Sequence, residues 1–300
     1  MSLGWKERLS GVIGGPVSPF RADLSLDFGA LESNVAALAA FDFRGMLIAA
    51  GIGEFYSLTP DEVVESLRVS ARVLGGRMPV IGTVGLNSDI AAEAARRMEQ
   101  AGADALLILP PAYANPPEEG LLRYYSRIAE ASGLPLIVYS RDWCAFTPDA
   151  VARLAESIPA LVAWKDGQGD IRRYQRIMRK VGDRLVWLGG VGDDCAPAYY
   201  AIGVTGFTSS LSNVLPKLAL AMAGAGQRRD LDELNRLTNR YVHPVFRLRD
   251  RMRGYEVAVT KAAMEMFGLP AGPVRPPLTG LRPPDVEELD KLLTLLAEMR

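Results

Sequence analysis

Lys165 ends the apolar run Leu161-Val162-Ala163-Trp164. An ammonium held among aliphatic and aromatic neighbours loses solvation, which lowers its pKa and frees a neutral amine able to attack a carbonyl. A second run, Pro135-Leu136-Ile137-Val138, ends in Tyr139, with Arg141 just beyond. If the two runs lie side by side, a phenol stands next to the amine. Carbinolamine formation and dehydration move protons on and off the substrate oxygen, which a phenol can do. A guanidinium nearby suits a carboxylate, which it grips through two parallel hydrogen bonds. Plainer readings exist for each. Lys165 could reach solvent or pair with Asp166, Tyr139 could be an amphipathic packing residue, and Arg141 could pair with Asp142 at the surface. Spacing alone leaves both sets open.

Other chemistries find less support. His243 is the sole histidine, in Tyr-Val-His-Pro, with no companion nucleophile or ligand in sequence. Cys144 and Cys195 are too few for a disulfide framework or a cysteine zinc site, and Cys144, beside Trp143, reads as packing. No metal site is expected. The stretch Leu188-Gly189-Gly190-Val191-Gly192-Asp193-Asp194 is glycine-rich before a helix, but no Gly-Lys-Ser/Thr follows to cradle a phosphate. Asp193 and Asp194 read there as helix caps rather than paired catalytic carboxylates, and Glu54 as a brace for its loop.

The elements that must carry these residues alternate. β-rich runs lie at Val12-Ile13, 45–50, 79–82, 105–109, 135–139, 161–165, 185–188 and 206–209, each followed by a helical pattern. Thr59-Pro60-Asp61-Glu62 is a capping box with proline at the first helical position; Asn87 and Thr147-Pro148-Asp149 announce two more helices. Continuous apolar runs mean burial on both faces, as in a parallel sheet covered by helices. Eight such units within the first 212 residues predict an α/β fold, a TIM (β/α)8 barrel, with residues 1–212 as the catalytic domain. Residues 213–300 read as a C-terminal helical extension packed on it, with helices over 214–224, 231–251, 256–267 and 284–299, and no flexible linker between. In a barrel, chemistry gathers at the C-terminal ends of the strands, where Ser18, Glu54, Thr83, Tyr139, Lys165 and Ser209 fall.

The 300 residues, 49% of them hydrophobic, carry 34 Lys+Arg against 35 Asp+Glu, a formal charge of −1. That balance gives no field for nucleic acid or an anionic membrane. The N-terminus lacks the apolar core of a secretory signal, and no apolar run reaches membrane length, so a cytoplasmic enzyme acting on a small molecule is expected.

The segments Gly15-Pro16-Val17-Ser18-Pro19-Phe20, Gly51-Ile52-Gly53-Glu54, Leu109-Pro110-Pro111-Ala112-Tyr113, Val138-Tyr139-Ser140-Arg141 and Trp164-Lys165-Asp166 resemble, nearly end to end, the dihydrodipicolinate synthase/N-acetylneuraminate lyase family. The resemblance implies that Lys165 forms a Schiff base with a 2-keto acid and that Tyr139 shuttles protons. It implies that Tyr113 reaches into a neighbouring subunit's site, so that a homodimer or homotetramer is expected. The lysine imine serves as electron sink, so no cofactor is implied. Gly51, Ile52, Gly53, Arg141 and Ser209 become the candidate substrate contacts. The stretches Ala50–Leu58, Lys165–Asp170 and Gly272–Leu278 are most similar to the branch that dehydrates 5-dehydro-4-deoxyglucarate.

One position departs from the pattern. The family carries a hydroxyl residue ahead of the Gly-Glu pair, and here Ile52 stands there. An isoleucine donates no hydrogen bond, so backbone amides must serve the carboxylate. Three readings follow: a class I lyase that dehydrates a keto-deoxy sugar acid, with or without loss of CO2; a pyruvate-dependent aldolase or synthase; and a non-catalytic member that binds a small acid. Retained Tyr139 and Lys165 speak against the last.

Overall fold

The computed structural model describes residues 4–300. Eight parallel strands close into a barrel in sequence order: β1 (Gly11–Gly14), β2 (Gly45–Leu47), β3 (Val80–Leu86), β4 (Ala105–Pro111), β5 (Leu136–Arg141), β6 (Leu161–Gly167), β7 (Val186–Gly189) and β8 (Gly206–Thr208). Closure is made by β1 on β8, with Gly11 opposite Gly206 and Ile13 opposite Thr208. Every residue of β4 is buried, as expected of a strand walled by side chains inside and helices outside. The expected (β/α)8 architecture is therefore present.

Helices start where local chemistry directs. Thr59 accepts from the Glu62 amide while the Glu62 carboxylate accepts from the Thr59 amide, capping the helix Pro60–Leu74 from both sides. The Asn87 and Thr147 side chains cap Ser88–Gln100 and Pro148–Ser157 from one side only, by accepting first-turn amides. Two expectations need correction. Asp193 and Asp194 do not cap the helix that follows them; they lie in a 3-10 turn, Asp193–Cys195, ahead of the helix Ala196–Ala201. And the single helix expected over 231–251 is interrupted: Leu231–Leu237 passes through a π-helical segment, Thr238–Val242, into His243–Arg249. Pro244 explains the break, since it has no N–H for the preceding turn and its ring crowds the carbonyl four residues back.

The extension is placed over the catalytic end of the barrel. The π segment packs on the turn after β7, and the helix Tyr255–Met266 packs on the 3-10 turn Leu211–Asn213 after β8. The C-terminal helices thus form part of the wall around the strand ends. No helix among the described residues is long and apolar enough to cross a membrane.

Candidate active site

A cavity of about 340 Å³ opens at the C-terminal ends of the strands, with Tyr139, Arg141, Lys165 and Gly190 among its lining residues. Tyr139 on β5 and Lys165 on β6 are direct register partners. The Lys165 amine lies 3.1 Å from the centroid of the Tyr139 ring. Both side chains then converge on one acceptor, the carbonyl of Gly190, at 2.7 Å from the phenol and 3.3 Å from the amine. Lys165 is only 4% exposed. Burial, reinforced by the Arg141 charge, holds its pKa well below the ordinary 10.5. Burial also pushes the Tyr139 phenol up to about 12, so it stays protonated and able to donate.

The plainer pairing of Lys165 with Asp166 does not occur. Successive residues of a strand face opposite ways, and Asp166 accepts instead from Tyr199 Oη at 2.7 Å and from the Gly169 amide at 3.1 Å. Lys165 is left as an amine without a carboxylate partner among the described residues.

Opposite this pair runs the loop after β2. Gly51 and Ile52 line the cavity, and no acceptor among the described residues takes the amide N–H of Gly51, Ile52 or Gly53. Gly53 does not line the cavity. A Cβ there would sit 2.9 Å from Ala49 Cα, so glycine is needed for the tight turn. The loop is held from beneath: Ser18 Oγ donates to the Gly53 carbonyl at 2.7 Å and Thr83 Oγ1 to the Ile48 carbonyl at 2.6 Å. Glu54, in a left-handed conformation (φ 56°), is fully buried and paired with Lys261 at 2.5 Å. Its other oxygen accepts from the Arg275 amide at 3.0 Å. Glu54 is thus the brace its sequence context suggested.

Arg141 reaches the cavity beside Gly51; its Nη1 lies 3.5 Å from where a Gly51 Cβ would be. It also pairs with Asp142 at 2.6 Å, so the surface pairing and the place in the site coexist. Ser209 lines the cavity, but its hydroxyl is committed to Asp193. The buried Asp193 carboxylate gathers donors from the loop after β8: the Ser209 and Ser210 hydroxyls and the Ser210 and Leu211 amides. Tyr113 lies elsewhere, 73% exposed, in an aromatic patch with Tyr56 and Trp143. Burial raises both Cys144 and Cys195 to about 11, which keeps them as unreactive thiols at neutral pH.

Four contributors were missed in sequence. Gly190 lay in the glycine-rich run read against phosphate. A Cβ on it would stand 2.6 Å from both Cε and Nζ of Lys165, so the missing side chain makes room for the amine. Phe246, Arg249 and Glu256 reach the cavity from the C-terminal helices, where no strand-end rule could place them. Among the described residues no group of three or more His, Cys, Asp or Glu side chains is placed to hold a metal.

Known proteins resemble the chain along nearly its whole length. Residues 8–296 match the profile of the dihydrodipicolinate synthetase family. A Saccharopolyspora erythraea protein named "Probable 5-dehydro-4-deoxyglucarate dehydratase" is 41% identical over 292 residues, covering 97% of this chain and 94% of its own. A Bradyrhizobium diazoefficiens protein of the same name is 38% identical over 293 residues, covering 97% and 93%. Among solved structures, dihydrodipicolinate synthase from Oceanobacillus iheyensis superposes with a TM-score of 0.91 at 30% identity, covering 97% of each chain. The profile match and these relatives show that the chain belongs to the dihydrodipicolinate synthetase family.

Proposed function

We propose that this protein is a class I lyase that dehydrates a keto-deoxy sugar acid through an imine on Lys165, with 5-dehydro-4-deoxyglucarate as the substrate. The observation that carries the reading is the Lys165 amine itself, buried, without a carboxylate partner and 3.1 Å from the Tyr139 ring centroid. Numbering the substrate from its keto end, the amine adds to C2 while the phenol supplies a proton to the carbonyl oxygen. Loss of that oxygen as water leaves an iminium. The iminium acidifies C3. Departure of the C3 proton gives an enamine, whose electrons expel the C4 hydroxyl, protonated, as a second water. Hydrolysis of the imine consumes one water and restores the lysine, for a net loss of one water. The free amides of Gly51 and Ile52 receive the carboxylate next to the keto group. Lys165 is the electron sink, so the mechanism calls for no organic cofactor and no metal. The exposed patch of Tyr113, Tyr56 and Trp143 supports the further proposal of a homodimer or homotetramer, with Tyr113 serving a neighbouring site.

The synthase reading has the solved neighbours in its favour, but the relatives at 38–41% identity carry the dehydratase name. Borohydride reduction in the presence of pyruvate and of 5-dehydro-4-deoxyglucarate, read by intact mass and peptide mapping, tests the proposal. The expected result is a reduced adduct on Lys165, and a sugar-acid adduct lighter by water. Measuring released CO2 shows whether decarboxylation accompanies dehydration. Absence of adducts with every 2-keto acid tried overturns the proposal.

A further inference from the structure

Arg249 lies at the end of the helix His243–Arg249 and lines the cavity. Its Nη1 donates to Ser210 Oγ at 2.7 Å, and its guanidinium carbon stands 4.4 Å from the centroid of the Phe246 ring. It forms no ion pair among the described residues, whereas Arg251, two residues on, pairs with both Asp285 and Glu288. Burial lowers its pKa, outweighing the opposing charges of Asp193, Glu256, Asp194 and Asp250.

The position of Arg249 relative to the rest of the site gives it meaning. The free amides of Gly51 and Ile52, with Arg141 beside Gly51, lie on the wall built by the loops after β2 and β5. Arg249 stands against Ser210, on the wall built by the loops after β7 and β8. Both walls line the same cavity, so a chain with its keto end on the first wall has Arg249 toward its far end. The acidic groups nearby leave the guanidinium available. Asp193 is occupied by its four donors. Asp194 makes no ion pair with Arg249 among the described residues, and burial and the Asp193 charge raise its pKa against the pull of Arg249. Asp250 and Glu256 are exposed and screened by water and salt.

We infer that Arg249 is a specificity residue that receives the second, distal carboxylate of a dicarboxylic sugar acid, making the cavity selective for diacids over monoacids of the same length. This deepens the proposed function and rests on the same cavity. Phe246 supports the guanidinium plane, and Ser210 fixes one of its nitrogens, leaving others directed at a ligand.

The test separates recognition from imine chemistry by using ligands that cannot form an imine. Calorimetric binding of glucarate and of gluconate, which differ in whether the far end is a carboxylate, is compared in the intact wild-type protein, Arg249→Gln and Arg249→Lys. The wild type is expected to favour glucarate by about 10- to 100-fold, the usual worth of a charge-assisted pair. Arg249→Gln is expected to abolish that preference, and Arg249→Lys to retain part of it. A wild type without preference, or a preference that survives in Arg249→Gln, overturns the inference. Borohydride trapping with pyruvate, which has no distal carboxylate, is run on the same samples. Circular dichroism melts show whether the variants are folded, and failure of trapping in the wild type counts against the imine while leaving the binding result to stand or fall alone. Should Arg249→Gln not fold, loss of the full wild-type preference in Arg249→Lys carries the test, and an undiminished one overturns the inference.

Discussion

Tyr139 and Lys165 occupy opposite positions in the β5–β6 ladder, and their polar ends share one acceptor, the Gly190 carbonyl. One strand pairing therefore sets both the distance between acid and amine and their common orientation. The phenol, raised to about 12, remains a donor across the working pH range. The amine, lowered well below 10.5, supplies its neutral form at a pH where an ordinary lysine is protonated.

That depressed pKa has a cost that can be measured. The unfolded lysine binds its proton up to 10.5 while the folded one releases it earlier, so the unfolded state holds more protons between the two values. The penalty is fully present below the folded pKa and fades as pH rises toward 10.5. Lys165→Met is therefore expected to abolish turnover and adduct formation yet raise the melting temperature at pH 7, by about 2–4 °C per kcal/mol relieved. The gain should shrink between pH 8 and 10. A variant that melts below wild type at pH 7, or that keeps turnover, contradicts this account.

Gly190→Ala tests the space around the amine. The added Cβ would stand 2.6 Å from Lys165 Cε and Nζ and 2.7 Å from its Cγ, so the lysine side chain, rather than any backbone, must give way. Stability should change little. Displacement of the nucleophile by about 1 Å is expected to lower kcat by roughly 100-fold. Circular dichroism melts beside initial rates distinguish this from general damage: equal loss of folding and activity would assign Gly190 to the scaffold alone.

Ile52→Thr places a hydroxyl on the cavity wall beside the free loop amides. A new hydrogen bond to a substrate carboxylate is expected to change relative KM values across a panel of 2-keto acids by about tenfold. An unchanged panel would mean that residue 52 does not touch the ligand.

How far these features could be read in advance followed from the range of the interactions involved. The barrel was legible because most strands are short apolar runs and several helices carry their own caps, as at Thr59, Asn87 and Thr147. Lys165 and Tyr139 were legible because strand ends face the mouth. Gly190 and Arg249 were not. The first matters through a side chain it lacks, and the second reaches the cavity through a helix packed on the barrel mouth, a contact without a local sequence signature. The misreading of Asp193 has the same origin, since its partners lie at Ser209 to Leu211 on the next strand's loop.

The Glu54–Lys261 pair ties that helical extension to the substrate loop. Both side chains are removed from water, at 0% and 2% exposure, and Lys261 also donates to the Pro273 carbonyl at 2.7 Å. Lys261→Met would strand a buried carboxylate next to the left-handed turn that carries Gly51 and Ile52, at a cost of about 3–5 kcal/mol. Adding Glu54→Gln removes the stranded charge, and the amide oxygen can still accept from the Arg275 N–H. The double variant should therefore recover much of the lost stability, a coupling readable from a double-mutant cycle of denaturant melts. Because the pair positions the loop without touching the amine, the double variant should raise KM for the keto acid more than it lowers kcat. Additive losses in the cycle, or a fall confined to kcat, would show that the two residues do not act together on the loop.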